Sequence, residues 1–250
     1  MALHTFVILA YNESDDLEEC IKSILKQNRK SIVIMATSTP NNYILDLASK
    51  YGIGVMVNDA PSNKGNDYNF AISIANTKLV TIAHQDDLYN RNYSKEILKA
   101  YQKDKNASII FTDNYEIDKD KMIFKNKRLL QRRFYVYPLS IKYFQDKKYF
   151  KRRCLKRNKY ICTSSITFVK KNIPSDLFPT NYTYNSDWKG LLKLIDLPSK
   201  FIFIKEKLVG YRMDNLKDNY EKELEDEMIL KENYSSWYYE KILKKRKKSL

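Results

Sequence analysis

Glycine is scarce in this chain, with five in 250 residues. No Gly-x-Gly-x-x-Gly follows an apolar run, and no Gly-x-x-x-x-Gly-Lys-Ser/Thr occurs. Loops that cradle phosphate with backbone amides need those glycines, which argues against a dinucleotide oxidoreductase and a P-loop NTPase. Phosphate binding here falls to a metal, to side chains or to helix ends. Cysteine is equally sparse. Cys20, Cys154 and Cys162 are odd in number and lack metal-ligand spacing, so a reduced cytoplasmic protein without a disulfide framework is expected. Cys20 falls on an apolar helix face as a small core residue. No apolar stretch approaches the roughly 18 to 20 residues that a spanning helix needs. The run from Phe6 to Tyr11 is too short for a secretory signal and has no basic lead or small-residue cleavage site. There is no internal repeat and no low-complexity linker.

Positive charge is abundant. The formal net charge is +15, and its distribution is uneven. Between residues 119 and 159 sixteen Lys and Arg face only Asp120 and Asp146. A second cluster, Lys241 with Lys244 to Lys248, closes the chain, and an acidic stretch from Asp214 to Glu232 lies between. Basic blocks attract phosphates on nucleic acid, anionic lipid or diphosphate-linked substrates; they also serve as plain solvated surface. With 43% apolar residues the chain is long enough to bury a substantial core.

The first half alternates strand-like and helix-like segments. Thr5 to Ala10, Ser31 to Met35, Gly54 to Val57, Leu79 to Ala83 and Ser108 to Thr112 read as strands. Leu17, Cys20, Ile21, Ile24 and Leu25 recur on one helical face. Ile44 to Tyr51, Asn66 to Ala75 and Tyr93 to Tyr101 are further helices. Strands separated by helices imply βαβ units with right-handed crossovers and a mostly parallel sheet. The second half is less regular. The basic, aromatic-rich block 119–159 has weak helical periodicity, Ile161 to Val169 reads as a strand, Ser186 opens a helix, and Phe201 to Ile204 is a late strand. A long charged helix is expected from Asp218 onward.

One segment carries most information. Val80 to Ala83 reads as a strand buried on both faces, and it ends at His84-Gln85-Asp86-Asp87. Ligands of open α/β sheets bind at such carboxyl ends. Two adjacent carboxylates repel unless a divalent cation or ligand hydroxyls take up the charge, or unless they cap the next helix.

Five motifs in order resemble family-2-type glycosyltransferases of the GT-A fold. They are Phe6-Val7-Ile8-Leu9-Ala10-Tyr11-Asn12-Glu13, Asn63-Lys64-Gly65, His84-Gln85-Asp86-Asp87 at the Asp-x-Asp position, Ser186-Asp187-Trp188, and Val209-Gly210-Tyr211-Arg212. The resemblance implies an α/β GT-A domain over residues 1–213, with a nucleotide-sugar half (1–115) and an acceptor half (116–213), followed by a helical extension (214–250). It implies an inverting transfer from a nucleotide-diphosphate sugar to a hydroxyl of a glycan or lipid-linked acceptor. Asp86 would hold Mg or Mn. Ala10, Tyr11, Asn12 and Glu13 would line the nucleobase pocket with Thr37 nearby; Lys64 would pair with the nucleotide, and Gln85 would contact the ribose. Asp87 would complete the donor-binding turn. Asp187 would take the acceptor's proton, although a helix start also explains an Asp there. Arg212 would stabilise the diphosphate or form a surface ion pair.

The chain departs from that pattern in places. Ala36-Thr37-Ser38 stands where most members carry two Asp residues, so the usual carboxylate contact to base or ribose is missing. His84 replaces the first acid of Asp-x-Asp, as in a recognisable subset of these enzymes, and is either a neutral ligand-facing donor or a packed imidazole. The basic, aromatic C-terminal segment and the 119–159 block suit an anionic membrane surface. The expectation is a cytoplasmic transferase, peripheral on the inner face of the plasma membrane, that extends a surface polysaccharide on a lipid carrier. Two rival readings are a catalytically inactive GT-A protein that binds sugar nucleotide or glycan, and a nucleic-acid-binding module.

Overall fold

The computed structural model describes residues 2–119, 121–156, 160–182 and 185–213. The first half forms β1 (His4–Leu9), α1 (Leu17–Leu25), β2 (Ile32–Thr37), α2 (Asn42–Lys50), β3 (Gly54–Val57), α3 (Lys64–Ile74) and β4 (Leu79–His84). These four strands are parallel in the order β3-β2-β1-β4. Two helix starts are set by asparagine side chains. Asn41 accepts the Ile44 N–H and Asn63 accepts the Asn66 N–H, each at 2.9 Å. The Asn63 cap starts α3 at Lys64, two residues earlier than the apolar pattern predicts.

The second half adds β5 (Leu88–Tyr89), α4 (Tyr93–Lys103), β6 (Ala107–Asp118), β7 (Lys121–Ile123), α5 (Lys127–Val136), α6 (Lys148–Cys154), β8 (Ile166–Val169), α7 (Ser186–Lys193) and β9 (Lys200–Arg212). The full sheet order is β3-β2-β1-β4-β8-β6-β9-β5, with β7 hairpinned onto β6. Strand β8 runs antiparallel between β4 and β6, and β5 runs antiparallel to β9. The others on the path are parallel, as expected. Register shifts between Thr112 and Asn114 bend β6 against β9 and curl the sheet.

Two sequence expectations change. The segment predicted as one strand, Ile161 to Val169, is a strand only from Ile166; Thr163–Ser165 is a 3-10 turn. The block 119–159 opens with β7 and then forms α5, two 3-10 turns and α6. The expected C-terminal helix lies outside the described residues.

Both faces of the central strands are buried, which is why they lack apolar/polar alternation. Phe6 and Ile8 face Leu17, Ile21, Ile24 and Ile97 of α1 and α4. Val7, Val80 and Ile82 face Tyr68 and Ile72 of α3 and Leu191 of α7. Each such fully buried side chain contributes about 1.5–3 kcal/mol. Inside this core His4 hydrogen-bonds Thr81 at 2.8 Å, and Thr81 hydrogen-bonds Thr167 at 2.6 Å. Burial drives the His4 pKa down to about 3, so the ring is neutral. No helix among the described residues is long and apolar enough to cross a membrane.

Candidate active site

The carboxyl ends of β1, β2 and β4 come together at one edge of the sheet, and there the conspicuous motifs meet. β4 ends at His84, and the chain turns at once, with the Asp87 N–H donating to the His84 carbonyl at 3.2 Å. This turn sends Asp87 inward and leaves Asp86 partly exposed. The Asp87 carboxylate is fully buried. It accepts hydrogen bonds from the Ser164 hydroxyl and, at 3.1 Å, from the Arg212 backbone N–H. Burial and the neighbouring Asp86 push its pKa well above the usual carboxylate range, against the pull of those two donors.

His84 is packed on one side and faces Asp87 on the other. Its Nε2 hydrogen-bonds the Tyr68 hydroxyl, and its Nδ1 lies 3.6 Å from Asp87 Oδ2. Burial lowers the His84 pKa and raises that of Tyr68. Ligand atoms of His84, Asp86 and Asp87 all lie within 4.8 Å of one another. Carboxylate oxygens with one imidazole form a donor set that suits Mg or Mn, so these residues fit a divalent cation.

Asp187 stands in the first turn of α7 and is 5% exposed. Its Oδ2 accepts from Lys64 Nζ and from Thr163 Oγ1, both at 2.8 Å, and its Oδ1 accepts from the Trp188 N–H at 2.9 Å. Burial alone would raise its pKa; the Lys64 cation and these donors outweigh it and hold Asp187 below the ordinary range. Lys64 also lies over the Tyr68 ring, 5.6 Å from its centroid. A continuous run of contacts thus links Asp187, Lys64, Tyr68, His84 and Asp87.

Two adjacent residues tie the carboxylates together a second time. The 3-10 turn aims Thr163 at Asp187 and Ser164 at Asp87. Neither hydroxyl stood out in the sequence, because a straight strand would send neighbouring side chains to opposite faces. Tyr68 was missed for a related reason: only a helix beginning at Lys64 places residues 64 and 68 one turn apart on one face.

The remaining candidates divide. Ala10, Tyr11 and Thr37 line a small recess of about 30 Å³ with Ser38, Asp67 and Phe70. Gln85 brackets the Tyr11 backbone, accepting its N–H at 2.8 Å and donating to its carbonyl at 3.0 Å. Both ends of the Gln85 amide therefore hold the β1 turn. Asn12 sits at φ 52°, a left-handed conformation that Asn tolerates, and donates its N–H to Thr39 Oγ1 at 2.8 Å. Glu13 is exposed, and neither Asn12 nor Glu13 lines the recess. Arg212 reaches α1 and its leading turn: Nε lies 3.1 Å from Asp16 Oδ1 and donates to the Asp86 carbonyl at 3.1 Å, while Nη2 is 2.8 Å from Glu19 Oε2. Arg212 thus clamps the Asp86 turn to α1.

The fold has counterparts among solved structures. The computed fold is similar to that of TarS residues 1–349 from S. aureus in complex with UDP-GlcNAc, with a TM-score of 0.63 at 14% identity over 86% of this chain and 59% of that one. It is also similar to the mannosyltransferase PcManGT from Pyrobaculum calidifontis in complex with GDP-Man and Mn2+, with a TM-score of 0.57 at 14% identity over 87% and 58% of the two chains. The chain spans about three fifths of the length of these solved structures. The likeness establishes the GT-A-type fold. In sequence the chain is 26% identical over 227 residues to the uncharacterized glycosyltransferase MJ1057 of Methanocaldococcus jannaschii, covering 87% of this chain and 73% of that protein. The profile of glycosyl transferase family 2 matches residues 5–178, more than half of the 250. The chain belongs to glycosyl transferase family 2.

Proposed function

We propose that this protein transfers a sugar, with inversion, from a nucleotide-diphosphate donor to a hydroxyl of a glycan or lipid-linked acceptor. The observation that carries the reading is the continuous run of contacts between Asp187 and the Asp86-Asp87 turn, through Lys64, Tyr68 and His84 and again through Thr163 and Ser164. The TarS and PcManGT structures, with UDP-GlcNAc in one and GDP-Man and Mn2+ in the other, support a nucleotide sugar as donor.

Asp187 acts as the base. As the acceptor oxygen forms its bond to the anomeric carbon, its proton passes to the Asp187 carboxylate. The bond from that carbon to the diphosphate breaks on the opposite side, and its electron pair leaves with the diphosphate. Lys64, Thr163 and the Trp188 N–H orient the carboxylate and keep it ionised. Asp86, with His84 and Asp87 beside it, holds Mg or Mn. When bound, that cation neutralises charge on the departing diphosphate. Ala10, Tyr11 and Thr37 receive the nucleobase, and Gln85 shapes that wall by fixing the Tyr11 backbone. Arg212 acts from behind, holding the Asp86 turn.

The acceptor side is assigned to the basic, aromatic surface of α5 and α6, which faces an anionic membrane and a lipid-linked glycan at the cytoplasmic side of the plasma membrane. Surface polysaccharide synthesis is the process that fits this placement. The central test is nucleotide-sugar turnover with Mn or Mg. Asp187→Asn should abolish turnover by about 10²-fold or more while nucleotide affinity is largely kept. Asp86→Asn should lose metal-dependent nucleotide binding. A wild-type protein that binds nucleotide sugars without turning them over would instead be a binding protein.

A further inference from the structure

A groove of about 370 Å³ opens at α5 and α6, outside the run of contacts that joins Asp187 to Asp87. Phe134, Tyr135, Tyr149, Arg152, Arg153 and Lys156 line it, and none of these is acidic. Asp196 meets Arg152 at 3.9 Å but sits closer to Lys148, at 2.9 Å. The lining residues differ in depth. Phe134, Tyr149 and Arg152 are exposed and form the rim, whereas Tyr135 and Arg153 are half-buried and form the floor.

The floor is built rather than loose. Arg153 Nη2 donates to the Phe134 carbonyl at 2.9 Å. Its guanidinium lies 4.5 Å from the Phe134 ring centre and 5.5 Å from that of Tyr135. A guanidinium held this way has little freedom left to lose when an anion arrives, and its planar fork matches phosphate oxygens. Tyr135 in turn stacks on buried Tyr160, with ring centres 4.3 Å apart and planes 13° from parallel.

That stack leads toward the proposed base. Tyr160 precedes Thr163 by three positions, a span of at most about 10 Å, and Thr163 donates to Asp187. Arg132, one turn before Tyr135 on the same face of α5, adds a further cation on this side. Its neighbour Glu116, at 3.8 Å, is held more closely by Arg128, at 2.9 Å. The Arg132 charge reaches Cys162, the residue before Thr163. A membrane surface meets the exposed rim, but it leaves the fixed ring and guanidinium of the floor without a use. Aromatic walls with a few placed donors suit a small polar unit that enters the groove.

We propose that the groove at α5 and α6 binds a phosphate-bearing saccharide unit of the acceptor, at a distance along the glycan from the hydroxyl that reacts. The rings pack against the face of the sugar, and Arg153, with Arg152 at the rim, meets the phosphate. This inference rests on the transferase reading and gives its acceptor a charge class: phosphorylated glycans are preferred over neutral ones.

The experiment is calorimetric titration of the full chain with pentamannose phosphate, unphosphorylated mannopentaose, inorganic phosphate and a single-stranded oligonucleotide. The phosphorylated saccharide should bind about tenfold or more tighter than the neutral one or phosphate alone, and added salt should weaken it. Arg153→Met should reduce that affinity by about tenfold. Should that variant fail to fold, Arg152→Gln at the exposed rim makes the same comparison, with an expected loss of about threefold. Equal binding of phosphorylated and neutral saccharide, unchanged affinity in the folded variant, or tighter binding of the oligonucleotide overturns the inference. A wild type that binds anionic vesicles but neither saccharide gives the groove to the membrane and overturns it as well. Nucleotide-sugar turnover separates the two readings. If turnover is present without the preference for phosphate, the inference alone fails; if the preference is present without turnover, the transferase reading fails and takes the acceptor role with it.

Discussion

Lys64 Nζ lies 2.8 Å from Asp187 Oδ2, a contact across 123 positions of sequence that joins the start of α3 to the start of α7. The proposed base is therefore held as a carboxylate by the residue expected to meet the donor's phosphates.

Lys64→Met tests this coupling through the pH dependence of turnover. Asp187 works ionised and its pKa lies below the ordinary range, so activity is present above that pKa and lost as pH falls through it. Without Lys64, burial is less opposed, and the acid limb should move to higher pH. Stability should fall by about 1–3 kcal/mol, less than for a fully buried pair because Lys64 is partly exposed. An acid limb that stays put would show that Lys64 does not set the base.

Gly65 explains why the Asn63-Lys64-Gly65 segment tolerates no larger residue at its third position. A Cβ there would stand 2.3 Å from the Pro179 carbonyl oxygen and 3.0 Å from Ser186 Oγ. The helix that carries Lys64 thus packs backbone to backbone against the segment leading to Asp187. Gly65→Ala should cost about 1–3 kcal/mol through overpacking. It should lower kcat further than that destabilisation explains, because it pries Lys64 from Asp187. Thermal melts alongside turnover at a temperature where the variant remains folded separate the two effects; wild-type kcat in that variant would contradict the account.

Much of this was legible in the sequence, and the reason is local. Buried parallel strands leave uninterrupted apolar runs, helices leave a 3.6-residue period, and β4 ends in acids that only a site or a cap explains. What escaped notice depends on long-range placement. The antiparallel insertion of β8 leaves no trace in a four-residue apolar run. The paired use of Thr163 and Ser164 needs the 3-10 turn. Lys64, Gln85 and Arg212 were found as residues, but their observed partners are protein groups, which motif order does not reveal.

The two histidines predict how stability responds to pH. Burial lowers the pKa of both, that of His4 to about 3. Between pH 6.5 and that value the unfolded chain binds a proton at position 4 and the native chain does not, so stability falls as pH falls. His4 alone contributes a slope approaching about 1.4 kcal/mol per pH unit below its unfolded pKa. Urea denaturation between pH 7.5 and 4.5 should show this decline, and His4→Gln should reduce the slope while lowering the stability at pH 7.5. An identical slope in the variant would mean that the His4 ring is protonated in the native state.

The proposed membrane attachment rests on a surface that displays rings and cations together. Phe134 and Tyr149 are 65% and 69% exposed on α5 and α6, beside Arg152, Arg153 and Lys156, and the Arg153 guanidinium sits 4.5 Å from the Phe134 ring centre. Asp196 offsets part of this charge, lying 2.9 Å from Lys148 and 3.9 Å from Arg152. A ring-and-cation surface is suited to the boundary between headgroups and acyl chains, where each cation contributes about 1 kcal/mol on an anionic leaflet. The protein should therefore float with anionic vesicles and much less with neutral ones. Arg152→Glu should weaken that binding by about fivefold or more per vesicle titration, and Tyr149→Ala should weaken it at high salt, where the charges are screened and insertion of the ring still counts. Equal flotation with neutral and anionic vesicles would remove the membrane from the proposal and leave the transfer chemistry untouched, since none of these side chains belongs to the run of contacts from Asp187 through Lys64, Tyr68 and His84 to Asp87.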